Sequence, residues 1–164
     1  MKLNIRPMLL ADKPALMAIL RGTPEFTPPE VAVAEEVIDS HLNDPDSYNI
    51  LVAGVGKSVA SYICYGRTPL TEGTWDIYWL AVSPDKQGQG IGGALMASAE
   101  ERISKAGGRL IIIETSSKPG YDKTRRFYLA RGYEIIGRIA DFYAPGDAKI
   151  ILQKRFDPEQ ASAG

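Results

Sequence analysis

The sequence is poor in the two residue types that most often build metal sites and cross-links, with one cysteine, Cys64, and one histidine, His41. A single cysteine excludes an internal disulfide and a cysteine-rich metal site, and a single histidine disfavours a histidine-based metal site or catalytic triad. We therefore expect no metal. Because Cys64 stands between Ile63 and Tyr65 in a strand-like segment, we predict a small buried apolar side chain there.

The sequence also lacks an excess of either charge and lacks long apolar runs. Its 19 basic and 20 acidic residues give a net charge of −1, which provides no positive field for nucleic acid. No stretch of ~18 apolar residues is present to span a bilayer, and the start of the chain, Met1 to Arg6, lacks a long apolar core. We predict a cytoplasmic protein without a nucleic-acid or membrane partner, and a homodimer is compatible with the sequence.

The order of the predicted elements indicates one α+β domain. With 164 residues, 45% of them hydrophobic, the chain is long enough for one packed core. Apolar spacings predict a strand, two helices, three strands, a helix, a strand, a helix and two strands. Asp12 and Thr27 are expected to cap the first two helices, and 140–147 to form a loop between the last two strands. The predicted domain covers 1–156, and 157–164 are expected to form a flexible tail.

Four glycines stand in the segment Gln87 to Gly93, between a strand-like run that ends at Val82 and a helical pattern that starts near Ile91. Glycine leaves backbone N–H groups uncovered by a Cβ atom, and the positive end of the following helix dipole points at the same place. The segment therefore predicts an anion site of the kind that binds a phosphate.

Two phosphate ligands fit these glycines. Gly88, Gly90 and Gly93 match the dinucleotide pattern G-x-G-x-x-G, and Glu114 stands about 20 residues further on, where a ribose-binding acid is expected. In that pattern the first glycine makes the turn directly after the strand, whereas 83–87 intervene here. Too few residues follow Glu114 for the remaining elements of a doubly wound sheet. A plain glycine-rich turn without a ligand is a further interpretation.

The same residues also follow the pattern Gln-x-x-Gly-x-Gly, which begins at Gln87. This pattern resembles the acetyl-CoA signature of the GCN5-related N-acetyltransferase (GNAT) superfamily. The resemblance implies a mostly antiparallel α+β sheet, splayed at a central parallel strand pair and flanked by helices. It also implies that loop amides bind the pyrophosphate of coenzyme A and that the preceding strand pairs with the pantetheine arm. The implied cofactor-binding residues are Leu80, Ala81, Val82, Gln87, Gly88, Gln89, Gly90, Ile91, Gly92 and Gly93.

A second segment, Phe127 to Tyr133, resembles the second signature of the same superfamily, in which an aromatic residue and a tyrosine are followed by glycine and another aromatic residue. The resemblance implies that Tyr128 lies near the thioester sulfur and protonates the departing coenzyme A thiolate. Packing of the helix on the sheet is the alternative role, and we favour it for Phe127. Many relatives carry asparagine where this chain has Tyr121, so their contact with the pantetheine arm is not carried over.

The acceptor side of the reaction requires a base, because a neutral amine must attack the thioester. In relatives that acetylate protein N-termini, the ribosomal-protein N-alpha-acetyltransferases, a glutamate at the place of Glu114 acts as this base. The segment from Asp141 also resembles their aromatic peptide-binding loop. A surface carboxylate without a chemical role is the alternative for Glu114. Asp76, Glu72 and Asp147 are weaker candidates for the base. The candidate substrate-binding residues are Phe26, Asp76, Phe142 and Tyr143.

The predicted function is the transfer of an acetyl group from acetyl-CoA directly to a primary amine, on a small molecule or at a peptide or protein N-terminus. A non-catalytic acyl-CoA-binding domain on the same fold and a nicotinamide-dependent oxidoreductase are the alternatives. The sequence leaves the identity of the acceptor amine open.

Overall fold

The computed structural model describes residues 2–156, which contain seven strands and four α-helices. The strands are β1 (Leu3–Pro7), β2 (Asn49–Val55), β3 (Ser58–Arg67), β4 (Thr74–Val82), β5 (Leu110–Ser116), β6 (Glu134–Ala144) and β7 (Asp147–Arg155). The helices are α1 (Lys13–Arg21), α2 (Pro28–Asn43), α3 (Ile91–Lys105) and α4 (Asp122–Ala130). The predicted element order is confirmed. The predicted tail, 157–164, lies outside the described residues, and the domain boundary at 156 stays a prediction.

The seven strands form one mixed sheet in the order β1-β2-β3-β4-β5-β7-β6. The pairs β1–β2, β2–β3, β5–β7 and β6–β7 are antiparallel. Strands β4 and β5 are parallel, and their ladder joins Thr74–Ile77 to Leu110–Ile113. This arrangement confirms the predicted α+β fold with a central parallel strand pair.

The chain divides into two compact units. The first contains the residues up to Gly66 together with Tyr78–Arg102, and the second contains Arg67–Ile77 together with the residues from Ile103 onward. Strand β4 and helix α3 therefore contribute residues to both units.

The core of the first unit is formed by α1 and α2 with the inner residues of the sheet. Leu16 and Leu20 lie one turn apart on α1 and are fully buried, and Ile38 of α2 joins the same cluster. The sheet contributes Ile50, Val52, Tyr62 and Cys64. Complete burial of one such aliphatic side chain stabilises the fold by about 1.5–3 kcal/mol. The predicted burial of Cys64 is confirmed.

The two helix starts of the first unit differ in how they are capped. The hydroxyl of Thr27 accepts a hydrogen bond from the Glu30 amide at 3.4 Å, so the predicted cap of α2 is confirmed. The Asp12 side chain makes no capping bond to α1. Its carboxylate accepts bonds from the Arg6 guanidinium at 2.7 and 2.9 Å and from the Leu9 amide at 2.7 Å. The predicted capping role of Asp12 is wrong because its carboxylate binds the Arg6 guanidinium and the Leu9 amide instead of the first amides of α1.

In the second unit, the predicted loop 140–147 is largely strand. Strand β6 continues to Ala144, which pairs with Asp147, so only 145–146 form the turn. The pairing passes from Ile139↔Lys149 to Ala144↔Asp147, and 140–143 therefore bulge opposite the single residue Ala148. We call 140–143 the β6 bulge. The loop prediction is wrong because turn-forming residues stand inside a bulged strand.

Alternation along β5 and β7 separates two faces in the second unit. The α4 face carries Lys154, whose Nζ donates to the Arg131 carbonyl at 3.0 Å and lies 5.5 Å from the centroid of the Tyr133 ring. The opposite face, which we call the Glu114 face, carries the alternate residues. These are Ile112, Glu114 and Ser116 of β5 with Asp147, Lys149, Ile151 and Gln153 of β7.

Candidate active site

The glycine loop of the first unit connects the end of β4 to the start of α3 at Ile91. Gly88 and Gly90 have φ values of +76° and +79°, a conformation that side-chain-bearing residues rarely adopt. Among the described residues, no heavy atom lies within 4 Å of a Cβ built on either glycine. The loop therefore leaves open space over its backbone, as a ligand cradle requires.

The amides of this loop are available to an anion. Over the described part of the chain, the N–H groups of Gly88 to Gly93 make no hydrogen bond to the protein, and the first bond of the α3 turn comes from the Ala94 amide to the Gly90 carbonyl at 3.1 Å. A helix start whose first amides are unpaired and whose dipole is directed at them is the arrangement that binds phosphate. The residues present thus fit the pyrophosphate of coenzyme A.

Both ends of the loop are fixed by hydrogen bonds and burial. The Gln87 side chain donates from Nε2 to the Val82 carbonyl at 3.3 Å, and the Ser83 amide donates to the Ala60 carbonyl at 2.7 Å. Ile91 is 1% exposed and anchors the start of α3. These contacts hold the loop backbone at both ends, which lowers the conformational entropy that binding would cost.

The predicted pantetheine-binding residues at the end of β4 are also held in place. Ala81 is buried, and its carbonyl accepts a hydrogen bond from the Ser61 hydroxyl at 2.8 Å. Leu80 and Val82 on either side are half-buried. Their pairing with the pantetheine arm stays a prediction.

Tyr128 lies in α4 of the second unit and is 6% exposed. Its ring packs edge-on against Phe127 and Tyr133, with centroid distances of 5.4 and 5.8 Å. Burial raises the pKa of the hydroxyl above its ordinary value of 10. None of the described residues forms a hydrogen bond with this hydroxyl. The phenol therefore stays protonated at neutral pH and keeps its proton available to an acceptor.

Glu114 is exposed and forms an ion pair with Lys149 of β7. Its Oε2 lies 2.7 Å from Lys149 Nζ, and the two side chains are 47% and 14% exposed, respectively. The same ammonium lies 3.8 Å from the centroid of the Phe142 ring. One lysine thus contacts both the predicted base and a predicted substrate-binding residue.

Ser116 and Asp147 form a second polar pair on the Glu114 face, and both are buried. The Ser116 hydroxyl donates to Asp147 Oδ1 at 2.5 Å, and Lys118 Nζ lies 3.7 Å from Asp147 Oδ2. The Arg125 guanidinium donates to the carbonyls of Ser116 at 2.6 Å and Lys118 at 3.1 Å. This network fixes the connection between β5 and α4.

The sequence did not single out Lys149, Ser116, Lys118 or Arg125, which contact the predicted acceptor-side residues or fix the segment around them, and it ranked Asp147 low. A signal was present in the two-residue spacings, Glu114 with Ser116 and Asp147 with Lys149, which place each pair on one face of a strand. The register between β5 and β7 was needed to join the two pairs.

The remaining acceptor candidates of the second unit have defined partners. The Asp76 carboxylate accepts a hydrogen bond from the Thr68 hydroxyl at 2.6 Å. Phe142 and Tyr143 are each about half exposed and pack edge to face, with centroids 5.0 Å apart. Glu72 is exposed, and its carbonyl accepts a hydrogen bond from the Arg109 side chain at 2.9 Å.

The predicted site residues fall into two sets. The glycine loop, Leu80–Val82 and Phe26 belong to the first unit, where Phe26 packs against the α1–α2 core. The second unit contains Tyr128, Glu114, Asp76, Phe142 and Tyr143, of which Lys149 brings Glu114 and Phe142 together.

Burial raises the pKa of the Cys64 thiol to about 12, so the thiol stays protonated at neutral pH. Within residues 2–156, no group of three or more His, Cys, Asp or Glu side chains is placed to hold a metal ion. In the same range no helix is long and apolar enough to cross a membrane.

A family model described as an acetyltransferase (GNAT) domain matches residues 46–135, more than half of the chain. The matched range contains the glycine loop, Glu114 and Tyr128. Solved members of this fold contain coenzyme A or acetyl-CoA. The match therefore supports acetyl-CoA as the co-substrate, and the role of the glycines in binding it stays a prediction.

Individual relatives agree with this match. The chain is 33% identical to aminoalkylphosphonate N-acetyltransferase of Salmonella typhimurium over 97 residues, which are 58% of this chain and about three fifths (62%) of the relative. It is 38% identical, with a TM-score of 0.90, to a solved protein of Desulfovibrio desulfuricans assigned to the GNAT family, covering 94% of this chain and 99% of that one. Ribosomal-protein-S18-alanine N-acetyltransferase of Escherichia coli shares the fold, with a TM-score of 0.76, 18% identity and 94% coverage of each chain. Taken with the glycine loop and the buried tyrosine, these matches show that the chain belongs to the GNAT family of acetyltransferases.

Proposed function

We propose that this chain transfers the acetyl group of acetyl-CoA directly to a primary amine, on a small molecule or at a peptide or protein N-terminus. The observation that supports this proposal best is the row of unpaired amides from Gly88 to Gly93 at the start of α3. Each amide hydrogen bond to a charged phosphate contributes ~1.5–3 kcal/mol, so a few of them provide about the 8 kcal/mol that micromolar binding requires. No lysine is needed in the loop.

The donor supplies a thioester whose carbonyl carbon is open to attack by an amine. In the proposed mechanism the loop amides hold the pyrophosphate, and Leu80–Val82 orient the arm that carries the thioester. Glu114 removes a proton from the acceptor, directly or through water, so that a neutral amine forms the C–N bond while the C–S bond breaks. Glu114 is suited to this role because it is exposed to solvent near the end of β5, between the buried residues Ile113 and Thr115.

Tyr128 is proposed to stabilise the departing sulfur. Its raised pKa lies well above that of a thiol, about 8.5, so complete proton transfer from the phenol to the thiolate is uphill. A hydrogen bond from the protonated phenol to the developing thiolate is still favourable, since charge-assisted hydrogen bonds are about twice as strong as neutral ones. Tyr128 therefore acts mainly as a hydrogen-bond donor, and solvent completes the protonation.

The Glu114 face offers polar groups to an amine acceptor. It carries two carboxylates, Glu114 beside Lys149 and Asp147 beside Lys118, and Asp76 of β4 is paired with Ile112 on the same face. The exposed rings of Phe142 and Tyr143 add apolar surface for the part of the acceptor beyond its amine. The choice between a small amine and a peptide N-terminus is left to the experiment below. A cytoplasmic location and a homodimer stay predictions from the sequence.

The test is a release assay with the purified chain, in which free coenzyme A thiol is measured with acetyl-CoA and a panel of amines. The panel contains aminoalkylphosphonates, polyamines, aminoglycosides, amino acids and short peptides with free N-termini. We expect amine-dependent thiol release and an acetylated product in mass spectrometry with at least one class. Acetyl-CoA should raise the thermal midpoint and NAD should not. Binding of acetyl-CoA without release for any amine would indicate a non-catalytic acyl-CoA-binding domain instead.

A further inference from the structure

We infer that Lys149 is a positioning residue of the acceptor site, whose ammonium holds the Glu114 carboxylate and the β6 bulge in one arrangement. The inference rests on the proposed function for what the site binds. All the contacts from which it is argued lie within the second unit.

The contacts converge on one atom. Lys149 Nζ lies 2.7 Å from Glu114 Oε2 and 3.8 Å from the centroid of the Phe142 ring. The lysine pairs with Ser116 of β5 on one side and with Ile139 of β6 on the other. Its side chain is only 14% exposed, so its stem is held by packing and the ammonium has little freedom to leave either partner.

The β6 bulge depends on side-chain contacts such as that between Lys149 and Phe142, because regular strand pairing does not hold it in place. Residues 140–143 stand opposite the single residue Ala148, so most of them have no partner in the ladder. Asp141 within the bulge has φ +55°, a strained value for a residue with a side chain, and its carboxylate accepts a bond from the Gly146 amide at 2.7 Å. Asp141 is exposed, so that bond is open to competition from water. The stacking of Lys149 on Phe142 adds a second, better shielded contact.

This arrangement links the proposed base to the β6 bulge, which carries the predicted substrate-binding residues Phe142 and Tyr143. If Lys149 loses its charge, Glu114 loses its only ion-pair partner among the described residues, and Phe142 loses the cation over its ring. Both changes concern predicted acceptor-side residues, and neither removes a contact of the glycine loop. A lysine with a purely structural role would instead change the stability of the sheet and leave the acceptor KM unaltered.

The experiment compares Lys149→Met, which keeps most of the stem, with Lys149→Arg, which keeps the charge and stacks on aromatic rings. The matched control is Lys13→Met in the first unit, because Lys13 also forms a 2.7 Å ion pair, with Asp39. One readout needs no substrate: the rate of chymotryptic cleavage after Phe142 or Tyr143, located by mass spectrometry. The other is the steady-state KM for the best acceptor and for acetyl-CoA.

For Lys149→Met we expect about tenfold faster cleavage in the β6 bulge and about a tenfold higher acceptor KM, with an unchanged KM for acetyl-CoA. Lys149→Arg should restore both values to within about threefold of the wild type, and Lys13→Met should leave both unchanged. Unchanged cleavage or an unchanged acceptor KM in Lys149→Met would overturn the inference, as would equal losses in Lys149→Met and Lys149→Arg. If the wild type acetylates no amine, the proposed function fails, while the cleavage rates still decide whether Lys149 fixes the bulge.

Discussion

At the scale of single residues, burial and ion pairing determine which titratable groups are fit for chemistry. Tyr128 and Cys64 are both buried, and burial raises the pKa of each, so both stay protonated at neutral pH. For a hydrogen-bond donor this state is useful, whereas for a nucleophilic thiol it is inactivating. Glu114 is exposed and lies beside the Lys149 ammonium, so its carboxylate is within reach of solvent and is held by an ion pair.

The residue-scale prediction concerns the Tyr128 hydroxyl. Tyr128→Phe keeps the ring and its contacts with Phe127 and Tyr133, so acetyl-CoA affinity and thermal stability should change little. Turnover should fall by about 10-fold to 10³-fold, within or just below the usual range for general acids. We expect the low end because the raised pKa of the phenol disfavours complete proton transfer.

The measurement is kcat under conditions where the chemical step limits the rate, checked by single-turnover kinetics. Tyr121→Phe, which removes a hydroxyl at the N-terminal end of the same helix, is the matched control. Equal turnover by Tyr128→Phe and the wild type would return Tyr128 to a packing role.

At the scale of elements, the sequence predicted what contiguous residues determine. The strand Thr74–Val82, the glycine loop and the start of α3 at Ile91 all follow from local pattern, and the structure has them at those residues. Tyr128 was predicted as a site residue for the same reason, because it belongs to a short contiguous motif. Lys149 and the β6 bulge escaped prediction because their roles depend on the register of β7 with β5 and β6, which no local window contains. The Asp12 side chain was misjudged because its partner, Arg6, belongs to another element.

The element-scale prediction concerns the loop backbone. Gly90→Val places a branched side chain at φ +79°, which strains the loop and moves the amides that face the phosphate. We expect acetyl-CoA affinity to fall by about 10²-fold or more, the loss of about two amide hydrogen bonds. Because the Cβ position is open among the described residues, the fold itself should survive.

Gly56→Val is the control for backbone strain, since Gly56 has φ +61° and an equally open Cβ position in the β2–β3 turn. Both variants should lose a similar amount of thermal stability, and only Gly90→Val should lose binding in calorimetric titration. Wild-type affinity in folded Gly90→Val protein would remove the loop from the coenzyme A site.

At the scale of the whole molecule, the net charge of −1 conceals an ion pair, Arg6 with Asp12, whose carboxylate is largely shielded from water. The Asp12 side chain is 8% exposed and bonded twice by Arg6, whereas Asp39, the partner of Lys13, is 46% exposed. The Arg6 hydrogen bonds, followed by the Leu9 amide bond and the charge of Arg6, lower the pKa of Asp12 against the opposing effect of desolvation. The pair joins β1 to the start of α1, so its loss is expected to weaken the first unit as a whole.

The whole-molecule prediction is therefore a dependence of stability on acid pH. A carboxylate whose pKa is lower in the folded chain than in the unfolded one stabilises the fold above its ordinary value of 3.8, and this contribution is lost as the pH falls through the folded pKa. Asp12→Asn should lower the free energy of unfolding at pH 7 by about 1.5–3 kcal/mol, the range for a hydrogen bond to a charged group. The difference between wild type and variant should shrink steadily below pH 3.8, because the wild-type carboxyl is then increasingly protonated as well. The measurement is urea unfolding followed by circular dichroism at pH 7, 5 and 3.

The control is Asp39→Asn, which removes the carboxylate of an exposed ion pair. We expect it to lower the free energy of unfolding by at most about 1 kcal/mol. A difference between wild type and Asp12→Asn that stays constant from pH 7 to pH 3 would mean that Asp12 contributes through packing and not through its charge.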